Sequence, residues 1–175
     1  MSKWSMRLEA WDEAISAQLR LNEHQRLGRM LGAFLAHSGD SWFWGIGLLL
    51  LIALGSSFWR SWAVIQLSGI FLLAVLVMGL KFSFRRQRPQ GEWGGIYRAT
   101  DPHSFPSGHA ARAIFLAVVT IFLGPSWLAI ALLLWAPMVA LARVAMGVHY
   151  LSDVLGGLLF GLLLALGWVN GLGIR

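Results

Sequence analysis

The chain's 175 residues suffice for one domain of ordinary size and leave no room for a second. Hydrophobic residues make up 57% and charged residues 13%, about half the charged share of a soluble domain, so the membrane is the solvent to reason with. Cysteine is absent, which excludes thiolate catalysis, disulfides and Cys-ligated metals, while the net charge of +6 suits anionic headgroups or a phosphate-bearing substrate and requires no nucleic acid.

Met1 to Asn22 sets Trp4, Leu8, Trp11, Ile15 and Leu19 at spacings of three and four, with Lys3, Arg7, Glu9, Asp12, Glu13 and Arg20 at other positions. That pattern predicts an amphipathic helix lying on the membrane, and it is too charged for a cleaved secretory signal. Met30–Ala36 is too short to span, so residues 23–41 read as a connector or partly embedded segment. Five apolar stretches follow: Trp42–Trp59, Trp62–Leu80, Ala110–Leu123, Trp127–Met146 and Tyr150–Leu172. Most approach the roughly 20 residues that a bilayer core requires. The third is short, about 21 Å from its rise per residue, which predicts a helix beginning inside the membrane at the floor of a cavity. Gly157 and Gly161 form a small-xxx-small pair that lets the fifth helix pack closely. The expected fold is all-α: a polytopic transmembrane bundle of about five spanning helices over residues 42–175, preceded by the amphipathic helix and connector of residues 1–41.

If the stretches alternate, the tight connections Gly55–Ser61 and Gly124–Ser126 share one side with Trp59, Trp62, Trp127 and Trp168, as an interfacial aromatic belt would. The opposite side receives the long connection Lys81–His109 and the turn at Gly147–His149. A loop of that length in so small a protein usually carries function.

Nearly all polar residues beyond the N-terminus gather on that second side, in three clusters. The first contains Lys81, Arg85, Arg86, Arg88 and Pro89. If the second helix continues through it, Lys81 and Arg88 share a face and can bracket a phosphoryl group, one as a point charge and one as a planar fork. Alone, the cluster is better described as a basic juxtamembrane run greeting anionic lipid. The second is Pro106-Ser107-Gly108-His109. Ser107 suits an N-cap, Gly108 permits close approach of a ligand, and a helix start favours an anion beside His109. Its bland counterpart is a capped helix with an interfacial histidine. The third holds Arg143, His149 and Asp153. On a helix, His149 and Asp153 meet on one face, where the carboxylate can hold one imidazole N–H and leave the other nitrogen as nucleophile. A solvated ion pair would look the same in sequence, but ionisable residues within membrane segments are costly and default to function.

In order and spacing, Lys81 with Arg88-Pro89, then Pro106-Ser107-Gly108-His109, then Arg143 with His149 and Asp153 resembles the signature of the type-2 phosphatidic acid phosphatase superfamily. The resemblance covers roughly residues 40–170. It implies a hydrolase acting on a lipid phosphate or diphosphate. His149 would attack phosphorus, Asp153 would orient it, and His109 would protonate the leaving oxygen. Lys81, Arg88, Ser107, the Gly108 amide and Arg143 would hold the phosphate oxygens. Neither metal nor cofactor is implied. The partners are a lipid phosphate and the surrounding membrane lipids, and the motifs read the phosphate rather than the tail. Ala142 departs from the family's usual serine, which should remove a supporting hydrogen bond at most.

Two other classes share parts of this pattern: a vanadate-dependent haloperoxidase, and a non-enzymatic lipid- or anion-binding membrane protein. The first is soluble in the family, and the second has no need of His149, Asp153 and His109 together. Arg112 is read as a headgroup contact or a snorkelling arginine, and Trp93, Tyr97, Arg98 and Asp101 as a rim with Arg85 and Arg86. His103 is read as a loop histidine, and His24, His37 and Asp40 are left in the connector without a role. The expected location is the bacterial inner membrane. Charge bias puts the basic N-terminus and the site on the cytoplasmic side, whereas the family's arrangement, adopted here, faces the site outward.

Overall fold

The computed structural model describes residues 3–22, 24–90 and 101–173, with side chains from residue 7 onward. Among these residues the regular structure is helical: α1 (Lys3–Gln18), α2 (Arg26–Ser38), α3 (Ser41–Leu54), α4 (Ser57–Phe84), α5 (Gly108–Leu123), α6 (Ser126–Ala145) and α7 (Leu151–Gly171). The five apolar stretches are α3 to α7. Of these, α4, α6 and α7 are long and apolar enough to cross a membrane, while α3 and α5 are shorter apolar helices. Leu54, Phe71, Leu134 and Leu163 all project from the surface. Large apolar residues spread so widely over a small protein's outside fit contact with lipid rather than water.

The helix ends follow local chemistry. Gly55 and Ser56 separate α3 from α4 in extended backbone, and Gly124-Pro125 does the same between α5 and α6. Proline suits a helix entrance because the first N–H groups lack intrahelical partners anyway. The connection near Gly55 is therefore tighter than expected, and Trp59 already belongs to α4.

Helix α5 occupies the centre, packed most extensively against α6 and α7. Ten of its residues, from Ala110 to Thr120, are buried. Its 16 residues reach about 24 Å, and this explains the short apolar stretch: a helix wrapped by others need not match the lipid thickness. Gly157 and Gly161 make the wrapping possible. A Cβ at Gly157 would overlap the Ser107 carbonyl, and one at Gly161 would overlap the Ala111 carbonyl. Between α4 and α5, the buried Gln66 amide donates to the Thr120 hydroxyl (2.9 Å) and the Leu116 carbonyl (3.2 Å). Such interhelical bonds hold apolar helices where hydrophobic burial alone cannot. Trp59, Trp62 and Trp127 line, together with α3 from Trp42 to Leu51, an apolar groove of about 620 Å³, and Trp62 is itself buried in the core.

The N-terminal region adds two features to the expectation. Residues 23–41 are not a plain connector, because α2 lies within them and packs along α6. Helix α1 turns its polar face to the protein, an orientation that the amphipathic pattern left open. Leu8 and Trp11 face outward, whereas Asp12 and Ser16 are buried. Ser16 Oγ accepts the Leu151 N–H (2.8 Å), and Asp12 Oδ1 accepts that of Ser152 (3.1 Å). These are among the N–H groups that a helix start leaves unpaired. Helix α1 therefore caps α7 from outside and shows its apolar face to the surroundings.

Candidate active site

Lys81 sits in the last turn of α4, buried and so directed inward. The helix does not continue to Arg88, so the condition for a shared helix face is not met. It stops at Phe84, and Arg85 takes a left-handed conformation (φ 50°) that turns the chain back. Arg88 reaches the site from this returning strand of chain rather than from a shared helix face. The base of the long connection is closed by pairing of Gln87 with His103 and by the Ser104 N–H donating to the Arg86 carbonyl (2.8 Å). That closure brings Asp101 between the two cations. Its Oδ2 pairs with Lys81 Nζ and lies 2.8 Å from Arg88 NH2, so a carboxylate sits where both cations converge. The rim assigned to Asp101 is thus corrected. Lys81 also donates to the His103 carbonyl (3.1 Å), and the His103 ring packs edge-on to Phe82. Trp93, Tyr97 and Arg98 lie outside the described residues.

Arg88 ties the first motif to the third. Its NH1 donates to the Val148 carbonyl (2.9 Å) and lies 3.1 Å from His149 Nε2. Accepting from a guanidinium requires an unprotonated Nε2, which puts the imidazole proton on Nδ1, and it engages the Nε2 lone pair until substrate displaces Arg88 from it. Nδ1 is 3.4 Å from Asp153 Oδ2, so the expected pair exists at the long end of hydrogen-bond range. The reason differs from the expected helix face: His149 precedes α7, whose first residue is Leu151. Asp153 instead folds back over the helix start, where Oδ2 accepts the Tyr150 N–H (2.9 Å). Both residues are buried. Burial, reinforced by the cations of Arg88, Arg143 and Lys81, holds the His149 imidazole well below the usual histidine range and keeps it neutral.

Arg143 occupies the last turn of α6, almost wholly buried, and its charge acts on both His109 and His149. Its carbonyl accepts the N–H groups of Val148 (3.2 Å) and His149 (3.3 Å), so one residue supplies a cation and also fixes the turn carrying His149. Ser107 caps α5 as expected, accepting from the Ala110 N–H at a loose 3.5 Å, and its own N–H donates to the Asp153 carbonyl (2.9 Å). Among the described residues, a Cβ at Gly108 would meet only Val77, at 3.5 Å. His109 follows in the first turn of α5, with Nε2 2.7 Å from Asp40 Oδ1.

Three residues take places that sequence reading missed. Arg86 is no rim residue: it donates to Asp153 Oδ1 (2.7 Å), Ser152 Oγ (2.6 Å) and Asp12 Oδ2 (2.6 Å), with its guanidinium 4.2 Å above the Tyr150 ring. Arg112 neither snorkels nor faces outward, for it is buried and bonded to the Gly39 carbonyl and the Ser41 hydroxyl. Asp40, left without a role, touches His109. Nothing short-range signalled these partners, which come from other elements.

The fold and the site together define an integral membrane protein with a buried cluster of cations and histidines at one end of its helix bundle. The comparisons give that class a family. The model of the PAP2 superfamily matches residues 62–173, and the chain belongs to that family. A Bacillus subtilis PAP2-type phosphatidylglycerolphosphate phosphatase of known structure superposes with a TM-score of 0.75 at 28% identity, covering 95% of this chain and 86% of that one. An undecaprenyl-diphosphatase of Sulfolobus acidocaldarius is 30% identical over 83% of this chain and 68% of its own length. A decaprenylphosphoryl-5-phosphoribose phosphatase of Mycolicibacterium smegmatis is 35% identical over 56% of this chain, which spans about half (53%) of that relative.

Proposed function

We propose that the protein is a membrane lipid phosphatase, independent of metal, that removes phosphate from a lipid phosphate or diphosphate through a phosphohistidine at His149. The arrangement of Arg88, His149 and Asp153 carries this reading, because Nε2 is the unprotonated ring nitrogen, its lone pair held by Arg88 until a phosphate takes that guanidinium, while Asp153 borders Nδ1. In the first step Nε2 attacks phosphorus, a P–N bond forms and the bond to the leaving oxygen breaks. His109 gives its proton to that oxygen. In the second step His109, now neutral, takes a proton from water, the hydroxide attacks phosphorus, and the P–N bond breaks to release orthophosphate. Lys81, Arg88, Arg143, the Ser107 hydroxyl and the Gly108 N–H hold the negative oxygens as charge redistributes. Asp101 must yield or share Lys81 and Arg88 when phosphate enters.

Relatives that act on undecaprenyl diphosphate and on phosphatidylglycerolphosphate support a lipid-borne phosphate as substrate. Polyprenyl diphosphate is the first candidate, ahead of phosphatidic acid, phosphatidylglycerolphosphate and lipid A phosphates. Purified protein in excess EDTA should release phosphate from this panel, and orthovanadate should inhibit. Activity lost in EDTA and restored by Mg²⁺ would remove the metal-independent mechanism. Rapid alkaline quenching on labelled substrate should trap a base-stable phosphoenzyme in the wild type, and acid treatment should then release its label.

We place the site on the outward face of a bacterial inner membrane, following the family arrangement. The chain contains no cysteine, so a Gln90→Cys variant carries one reporter on the site's side. Its labelling by an impermeant thiol reagent in intact spheroplasts is the expected result, and labelling only after lysis would reverse the orientation.

A further inference from the structure

Asp40 stands at the N-cap of α3, where an aspartate ordinarily accepts an N–H of the first helical turn. Its carboxylate makes no such bond. Oδ1 lies 2.7 Å from His109 Nε2, and Oδ2 lies 3.0 Å from His37 Nδ1 and 3.2 Å from Trp42 Nε1. The side chain thus forgoes the capping bond available beside it and reaches a histidine 69 residues away.

The neighbouring chain is built to keep it there. Arg112, one turn beyond His109 on α5, binds the Gly39 carbonyl and the Ser41 hydroxyl, gripping the residues on either side of Asp40. A Cβ at Gly39 would come 2.9 Å from Val139 Cγ1 and 3.3 Å from His109 Cδ2, so only glycine lets this turn lie so close to α5 and α6. Although burial disfavours the charge, the bonds from His109 and His37 hold the Asp40 carboxyl well below the usual carboxylate range.

We infer that Asp40 is a positioning residue for the general acid His109, holding the proton on Nε2 and stabilising the imidazolium until its other proton leaves. This rests on the phosphatase reading given above. With Nε2–H committed to the carboxylate, the proton transferred to the leaving oxygen is that on Nδ1. The imidazolium becomes neutral as the phosphorus–oxygen bond breaks, and Asp40 remains ionised throughout. Asp40 touches neither phosphate nor leaving group.

The test compares full-length wild type, Asp40→Asn, Asp40→Glu, His109→Ala and the double variant Asp40→Asn/His109→Ala on two substrates. One is phosphatidic acid, whose alkoxide leaving group needs a proton. The other is an aryl phosphate, whose phenolate needs little help. Asp40→Asn should lower kcat on phosphatidic acid about 10- to 100-fold, with a much smaller loss on the aryl ester and KM little changed. Asp40→Glu should recover part of the loss. The double variant should be no slower than His109→Ala, because the carboxylate acts through that ring. Equal losses on both substrates in monodisperse Asp40→Asn protein, or an additive double variant, would overturn the inference and make Asp40 a structural anchor. Wild-type protein inactive on every lipid phosphate, or His149→Ala with normal turnover, would instead remove the phosphatase reading and the inference with it.

Discussion

His149 and Asp153 lie four residues apart in one turn of chain, whereas His109 and Asp40 are 69 residues apart and meet only because the α2–α3 junction lies against α5. The shorter sequence distance gives the longer contact, 3.4 Å against 2.7 Å. The reason is how each carboxylate is shared. Asp153 Oδ2 also accepts the Tyr150 N–H and Oδ1 receives Arg86, so its position is set by the start of α7 and by α1 behind it. Asp40 commits Oδ1 to His109 and keeps Oδ2 for His37 and Trp42. A nucleophile beside a carboxylate held by a helix start can tighten when substrate arrives. The general acid's partner is already in place.

The sharpest division between the two histidines is total against partial loss. His149→Ala should abolish both turnover and the labelled phosphoenzyme, because no other group replaces the nucleophile. Label retained on that variant would move the nucleophile elsewhere.

Next in size is Asp153→Asn. An amide can present N–H where the carboxylate accepted one, and the imidazole then settles in the wrong tautomer, as in serine proteases. We expect kcat to fall on the order of 10²–10⁴-fold on aryl and alkyl esters alike, with KM much less affected. Asp40→Asn should discriminate between those esters. A near-normal kcat in folded Asp153→Asn protein would break the contrast and leave Asp153 as a helix cap.

Asp12→Ala removes the outside support of the Asp153 pair while leaving both of its members in place. It takes away the acceptor of Ser152 N–H and one partner of Arg86, so we expect roughly 1 kcal/mol of lost stability, as for other lost caps. Thermal unfolding in detergent should show this, along with a several-fold fall in kcat. An unchanged melting temperature and rate would reduce the docking of α1 to a contact without consequence.

The smallest effect concerns pH. His149 must be neutral to attack, and its pKa is lowered, so neutrality persists as pH falls below the ordinary histidine value of about 6.5. The acid limb of kcat/KM assigned to His149 should therefore lie below that value. Lys81→Met removes one of the depressing cations and should move the limb upward by a fraction of a unit, roughly, in whatever activity remains. A limb that stays fixed, or shifts downward, would separate His149 from the cation cluster.

Much of this protein is legible without coordinates, for definite physical reasons. A bilayer demands long apolar runs, so the helices α3 to α7 stand out in composition. Charges are expensive among such runs, so Lys81, Arg88, His109, Arg143, His149 and Asp153 could be picked out as candidates; Arg88 and Asp153 both meet His149, and the Arg143 charge acts on both histidines. Tertiary structure decided the rest. Whether Lys81 and Arg88 converge through one helix depended on where α4 stops, and the left-handed turn at Arg85 gave a different route to the same neighbourhood. The inward polar face of α1 could not be read from its amphipathic pattern, because the pattern fixes two faces without saying which meets protein and which meets lipid. Asp40, Arg112, Asp12 and Arg86 are ordinary polar residues in sequence, and their partners lie on other elements, except that Arg112 holds a turn and Arg86 a helix start rather than substrate. Local spacing encodes contacts within a turn or two of chain; contacts across the bundle arise only when the helices have packed.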